Sequence, residues 1–97
     1  NSSSTPSNSS PTSKKVNKPT IAKPTLRNGS KGTQVKYLQQ DLNYLGFKGA
    51  DGKQLTVDGV IGNNVIYALK KFQIKYKLSV DGVYGDKSYA KMKALLG

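Results

Sequence analysis

The chain of 97 residues has room for one domain, not two, and carries 16 Lys plus Arg against 5 Asp, for a formal charge of +11. It contains no Cys, His or Glu. That excludes a disulfide framework, a thiol nucleophile and the nitrogen and sulfur ligands of a zinc site, and it leaves Asp and Lys as the main groups for proton transfer. No apolar run approaches membrane-spanning length, so no membrane span is expected.

Composition changes near residue 25. Residues 1–25 hold seven Ser, four Thr, three Asn, all four Pro and four Lys, with Val16, Ile21 and Ala22 the only apolar side chains. All ten Gly and all eight aromatic residues lie beyond this stretch. So few apolar groups cannot offset the entropy of ordering, and residues 1–25 read as a flexible linker with an rms span of roughly 25–30 Å. Because the sequence opens inside this stretch with no signal peptide, a piece of a longer secreted protein is expected. The remaining 72 residues, 26–97, can form one modest core. They carry twelve Lys plus Arg and all five Asp, a net +7. A surface of that sign favours polyanions: nucleic acid, anionic membrane or the phosphate-bearing polymers of a bacterial wall.

Three segments within 26–97 have helical periodicity. In the first, Val35, Leu38, Leu42 and Leu45 form an apolar stripe, with Thr33 the expected N-cap and Gly46 the expected left-handed C-cap. In the second the stripe is Val65, Ala68, Leu69, Phe72 and Tyr76, capped by Asn63. In the third it is Tyr89, Met92, Leu95 and Leu96, capped by Asp86. With no Pro inside any of them, the expected fold is all-α: a compact three-helix bundle with Gly-rich connecting loops. Leu38, Leu42, Leu69, Phe72 and Leu95, each central on its stripe, are expected to meet in one cluster.

The segments are related. VDGVIGNNVIYALKKF from Val57 reappears as VDGVYGDKSYAKMKAL from Val80, and a fainter copy, GSKGTQVKYLQQDL, begins at Gly29. The pairs Asp58–Gly59 and Asp81–Gly82 are expected to set tight turns, Gly supplying positive φ and Asp bonding the backbone two residues on. Val57, Val60, Val80 and Val83 are expected to point inward and pin those turns, and Val57 with Val60 also suits a very short strand. The Gly-x-x-Gly pattern is not a nucleic-acid clamp, because the flanks supply no strands long enough for the sheet it works beside. Nor is it a nucleotide phosphate loop, because no Gly-Lys-Ser/Thr follows. The run Asp51–Asp58 lacks the alternating oxygen ligands of a calcium loop. The reading is therefore non-enzymatic, with no catalytic residues, metal or cofactor, and no nucleic-acid partner.

Taken together, Leu-Arg-x-Gly-x-x-Gly from Leu26, Leu38–Gln39, Leu45–Gly46, the two Asp-Gly-x-x-Gly loops and Phe72–Gln73 resemble the peptidoglycan-binding domain family, over nearly all of residues 26–97. The resemblance implies a monomeric targeting module in the bacterial cell wall, secreted and covalently linked to a catalytic domain that it holds against peptidoglycan. Recognition of a glycan strand or stem peptide calls for aromatic platforms, planar amides and a basic group. The candidates are Tyr44, Tyr67 and Tyr84 as platforms, Gln39 and Gln73 as amides, Asp58 and Asp81 at the loop rim, and Arg27 for a stem-peptide carboxylate. Each has a structural alternative: Tyr as packing, Gln as a tie for loop backbone, Asp as a turn former. Anionic wall polymers are a further expected partner. The competing function is a basic structural or protein-interaction module of a spore or envelope assembly.

Overall fold

A computed structural model describes residues 19–97. Three helices follow one another, α1 (Thr33–Leu45), α2 (Asn63–Lys75) and α3 (Asp86–Leu96), and the all-α architecture expected from the repeats is the one observed. Two isolated antiparallel bridges, Leu26 to Tyr84 and Lys31 to Val60, tie the loops together between the helices.

The core is built from one stripe per helix and from the residues that follow the loops. Val35, Leu38 and Leu42 of α1 meet Val65, Ala68, Leu69 and Phe72 of α2 and Met92 and Leu96 of α3, with Leu26, Leu55, Ile61 and Tyr84 contributed by the connections. Phe72 packs tilted against Tyr76, with ring centroids 5.0 Å apart, and edge-on to Phe47 at 5.7 Å. Leu95 is a correction: it is 36% exposed, and Leu96 takes the expected core position. The buried face of α3 runs Ser88, Met92, Leu96 at strict intervals of four, which turns Leu95 a full residue away from it.

The helix starts differ from expectation in a consistent way. Thr33, Asn63 and Asp86 are first helical residues, not caps; the caps are Gly32, Gly62 and Gly85, and none of the three helices has a side-chain cap hydrogen bond. The glycine carbonyls instead accept the first helical bonds, from Lys36, Ile66 and Tyr89 N–H. At its C-terminus α1 ends as the sequence implies, on Gly46 at φ 91°, with Phe47 N–H donating to Leu42 O at 2.9 Å. Beyond α2 the same bonding recurs on a non-glycine residue. Lys77 sits at φ 58° while Leu78 N–H donates to Gln73 O at 2.8 Å. In both places the chain turns back and sends an apolar side chain, Phe47 or Leu78, against the core.

The valines of the Asp-Gly loops require correction as well. Val57, Val60 and Val80 are exposed and Val83 only half-buried, whereas Ile61 and Tyr84 are buried. The carbonyls of Val60 and Val83 are held from inside the protein by the amides of Gln39 and Gln73, and the residues that follow them, Ile61 and Tyr84, face the core.

For residues 1–18, the expectation of a linker lies outside the described residues. Pro19–Thr25 are described, and a boundary at residue 25 cuts through packed chain. Ala22 is wholly buried: its N–H donates to Asp41 Oδ2 at 3.0 Å and its carbonyl accepts from the Tyr84 hydroxyl at 2.8 Å. Lys23 N–H donates to Gln34 Oε1 at 2.9 Å. The segment forms a strap across α1 and the loop before α3.

Phe72 is fully buried, second in volume only to Tyr84 among the fully buried side chains, and packs against the rings of Phe47 and Tyr76. Phe72→Ala should lower the unfolding free energy by roughly 3–5 kcal/mol, a large share of what a domain of this size has. Urea unfolding measures it, and a change below about 1 kcal/mol would contradict this packing.

Candidate functional site

The two Asp-Gly loops are held by the same device. Gln39, buried on α1, accepts Gly59 N–H on its Oε1 at 3.0 Å, while its Nε2 donates to Asp58 Oδ1 and to Val60 O, each at 2.9 Å. Gln73, buried on α2, accepts Gly82 N–H at 3.2 Å and donates to Asp81 Oδ1 at 3.1 Å, Val83 O at 2.9 Å and Ser88 Oγ at 3.3 Å. Each helix thus fixes the loop that leads into the next. Within the loops, Asp58 Oδ1 accepts Val60 N–H at 3.0 Å and Asp81 Oδ1 accepts Val83 N–H at 2.9 Å, the turn expected of an Asp-Gly pair. Gly59 at φ 78° and Gly82 at φ 72° supply the left-handed backbone. The amide of Gln39, followed by the turn N–H, holds Asp58 below the usual carboxylate range; for Asp81 the Val83 N–H leads and the Gln73 amide adds to it. Both side chains are therefore carboxylates at neutral pH, with Oδ1 engaged in the turn.

Each clasp closes the inner end of a groove. The first, about 400 Å³, is lined by Gln39, Leu55, Thr56, Asp58, Val60 and the start of α2 from Gly62 to Val65. The second, about 270 Å³, is lined by Gln73, Leu78, Ser79, Asp81, Val83 and the start of α3 from Gly85 to Ser88. The outer wall of the first is braced by Asn43, which donates to Leu55 O at 2.9 Å and accepts Leu55 N–H at 2.8 Å, and by Asn64, which accepts Ala50 N–H at 3.2 Å. Asn64 lies so close to Gly49 that a Cβ there would come within 2.7 Å of it.

The eight candidate residues separate into three groups. Gln39 with Asp58, and Gln73 with Asp81, come together in the two grooves, and the glutamines serve as ties for loop backbone. Tyr84 is corrected: it is 0% exposed, its hydroxyl is spent on Ala22, and it presents no ring face to a ligand. Burial, with Asp41 nearby, pushes that hydroxyl well above its usual range. Tyr44 and Tyr67 are exposed, at 41% and 42%, and Arg27 is also exposed, but none of the three lines either groove. Tyr44 borders a shallow depression with Pro19, Gln40, Asn43 and Gln54, and Lys71 Nζ stands 5.4 Å from the centre of the Tyr67 ring. Missed by sequence reasoning were Thr56, Asn63, Asn64, Ser79 and Lys87. The signal that finds them is the repeat itself, since shifting the first groove by 23 residues reproduces the lining of the second outside its glutamine. Among the described residues no group of His, Cys, Asp or Glu is arranged to hold a metal ion, and no helix is long and apolar enough to cross a membrane.

A family model of the peptidoglycan binding domain matches residues 31–92. The chain belongs to that family. It is a peptidoglycan-binding module, not a catalytic domain. The N-acetylmuramoyl-L-alanine amidase CwlL of Bacillus licheniformis is 44% identical over 69 residues, which cover 68% of this chain and 19% of the amidase. A spore cortex-lytic enzyme of Bacillus cereus is 43% identical over 63 residues, 65% of this chain and 22% of the enzyme. The crystal structure of the SleB N-terminal domain superposes with a TM-score of 0.69 at 32% identity, covering 80% of this chain and all of that one. The chain therefore spans about a fifth of the length of these enzymes, and the matched part stands alone as a domain in the crystal structure.

Asp41, which the module's grooves do not use, gives the structure a distinct pH signature. It is fully buried, its Oδ1 has no hydrogen-bond partner, and burial pushes its carboxyl up to about 7 against the opposing effect of Ala22 N–H. The ordinary value is 3.8. Between those values the folded state binds a proton that the unfolded chain has lost, so stability falls as pH rises from about 4 to 7 and then levels. Asp58 and Asp81 act in the opposite sense, and their contribution is lost only as pH drops below about 4. Asp41→Asn should abolish the decline and leave Tm at pH 8 roughly 5–10 °C above that of the wild type. Parallel Tm profiles for the two proteins from pH 4 to 8 would contradict this account of Asp41.

Proposed function

We propose that the first groove, between Gln39, the Asp58–Gly59 turn and the start of α2, is the surface that meets peptidoglycan, and that the module uses it to hold a covalently attached wall hydrolase on its substrate. The supporting observation is the groove itself: a concave, polar-edged site whose loop is rigidly held and whose rim residues Thr56 and Asn63 make no bond the fold requires. Neutral hydroxyl and amide groups facing an ionised Asp58 suit sugar hydroxyls and N-acetyl amides of a glycan strand. The names of the relatives, an amidase and a cortex-lytic enzyme, supply the kind of catalytic partner. In this reading the protein acts at the bacterial wall as a monomer. The Ser/Thr/Pro/Lys-rich stretch before residue 19 connects the module to its enzyme, and the module proper begins with the strap, near Pro19. Holding an enzyme near many bonds raises its effective concentration without tight binding.

The basic surface adds a second, weaker attraction to anionic wall polymers. Twelve Lys plus Arg against five Asp leave residues 26–97 with a net +7, a surface that attracts polyanions. Screened attraction of this sort weakens between low and physiological ionic strength, whereas contacts in a shaped groove persist. Retention on intact walls should therefore fall with salt, yet binding to sacculi stripped of anionic polymers should survive physiological salt. Thr56→Leu, an exposed change that fills the groove mouth, should reduce that remainder about fivefold or more (~1 kcal/mol). Lys91→Ala, on α3, should not. Stripped sacculi that retain nothing would make the module an electrostatic anchor and remove the groove from its function.

A further inference from the structure

We propose that the second groove, between Gln73, the Asp81–Gly82 turn and the start of α3, is a second peptidoglycan subsite, and that it takes the charged end of a stem peptide. This rests on the reading of the first groove as the glycan surface and extends it to a site with different chemistry.

The two grooves share a frame and differ in charge. Thr56 and Ser79 offer a hydroxyl at the same place, and Asp58 and Asp81 the same carboxylate. The first two helical positions then diverge, from Asn63–Asn64 to Asp86–Lys87. Asn64 is occupied in bracing Ala50, which leaves the first groove neutral apart from Asp58. Lys87 and Asp86 are exposed on the lining of the second groove, and Asp81 still has its Oδ2 outside the turn. The ammonium of Lys87, beside a helix start with no side-chain cap, favours a carboxylate. Asp81 and Asp86 favour an ammonium. A peptide that ends in a free carboxylate and carries a side-chain amine presents both, as a stem peptide with a diamino acid does, whereas a neutral sugar presents neither.

The third copy of the repeat shows what lies at this place when a peptide fills it. Gln34, the second residue of α1 and the counterpart of Asn64 and Lys87, accepts the Lys23 N–H of the strap. At α1 and α2 the chain's own backbone meets this residue, Lys23 N–H at Gln34 and Ala50 N–H at Asn64, while at α3 Lys87 lines an open groove. A module with a glycan groove and a peptide groove would engage one polymer at two points, which raises avidity without tightening either contact.

The test is an NMR titration of the folded protein with two probes: a muropeptide (disaccharide with a diamino-acid-containing stem peptide) and the same disaccharide without peptide. The muropeptide should shift the amides of Ser79, Val83, Gly85 and Lys87 as well as those of Thr56, Val60 and Gly62. The peptide-free disaccharide should shift only the latter set. Lys87→Ala, an exposed change, should weaken the response of the second set about fivefold or more and leave the first unchanged. If the first set responds and the second stays silent to both probes, the second subsite is overturned and the first groove stands. A second set that responds equally to both probes, or is untouched by Lys87→Ala, overturns its charge chemistry. If neither set responds while sacculi still retain the protein, the groove reading itself has failed and this inference falls with it.

Discussion

A buried primary amide can both accept and donate hydrogen bonds, two in each sense, and it carries no charge that burial would penalise. The module rests on two such amides. Gln39 and Gln73 each reach from one helix into the loop that leads to the next, taking a glycine N–H on the oxygen and giving both hydrogens to the turn. The loop backbone, which would otherwise be buried without partners, is satisfied from inside. With Gly59 and Gly82 fixed, Ile61 and Tyr84 are delivered to the core and Gly62 and Gly85 to the helix starts. The clasp, the turn, the core residue and the groove wall are one unit, used twice.

That economy explains how so small a domain is held together without disulfides. Its helices have 13, 13 and 11 residues, too short to be stable alone, and none has a side-chain cap. Tertiary contacts must fix both ends of each. At the starts the clasped loops do this; at the ends of α1 and α2 the left-handed residues Gly46 and Lys77 return the chain so that Phe47 and Leu78 cover the core. The first repeat has no clasp of the same kind, and the strap takes its place through Ala22, Lys23 and their partners Asp41, Tyr84 and Gln34. A buried carboxyl with one unpartnered oxygen is a poor way to hold a strap at high pH, which is why Asp41 dominates the expected pH dependence.

Much of this was legible in the sequence, because helical stripes and Asp-Gly turns are local signals. The three helices, the Gly46 terminus and the turn role of Asp58 and Asp81 follow from spacing and residue type alone. The Gln39 and Gln73 ties were visible as one of two readings. What could not be read depends on partners distant in the chain. Ala22 is one of three apolar residues in a polar stretch, and its burial is decided by Asp41 and Tyr84, 19 and 62 residues away. Tyr84 stands where a tyrosine suits either a sugar platform or a core, and only the closure of the strap chooses the core. Hydrophobicity points Val60 and Val83 inward, but the clasp holds their carbonyls and gives the inward place to Ile61 and Tyr84. The groove rims escaped notice because Thr56, Ser79 and Lys87 have no distinguishing chemistry until the fold lines them up.

The clasp makes one demand that no loop in open solvent would meet: the N–H groups of Gly59 and Gly82, in short connections at the protein surface, must resist exchange with water. Amide hydrogen exchange followed residue by residue on the folded protein tests this directly. The account predicts that both glycines exchange orders of magnitude more slowly than exposed loop amides such as Gln54, with protection that disappears at Gly59 alone in Gln39→Ala and at Gly82 alone in Gln73→Ala. Exchange of either wild-type glycine amide at the rate of an unstructured chain would show that the buried glutamines do not hold the loops.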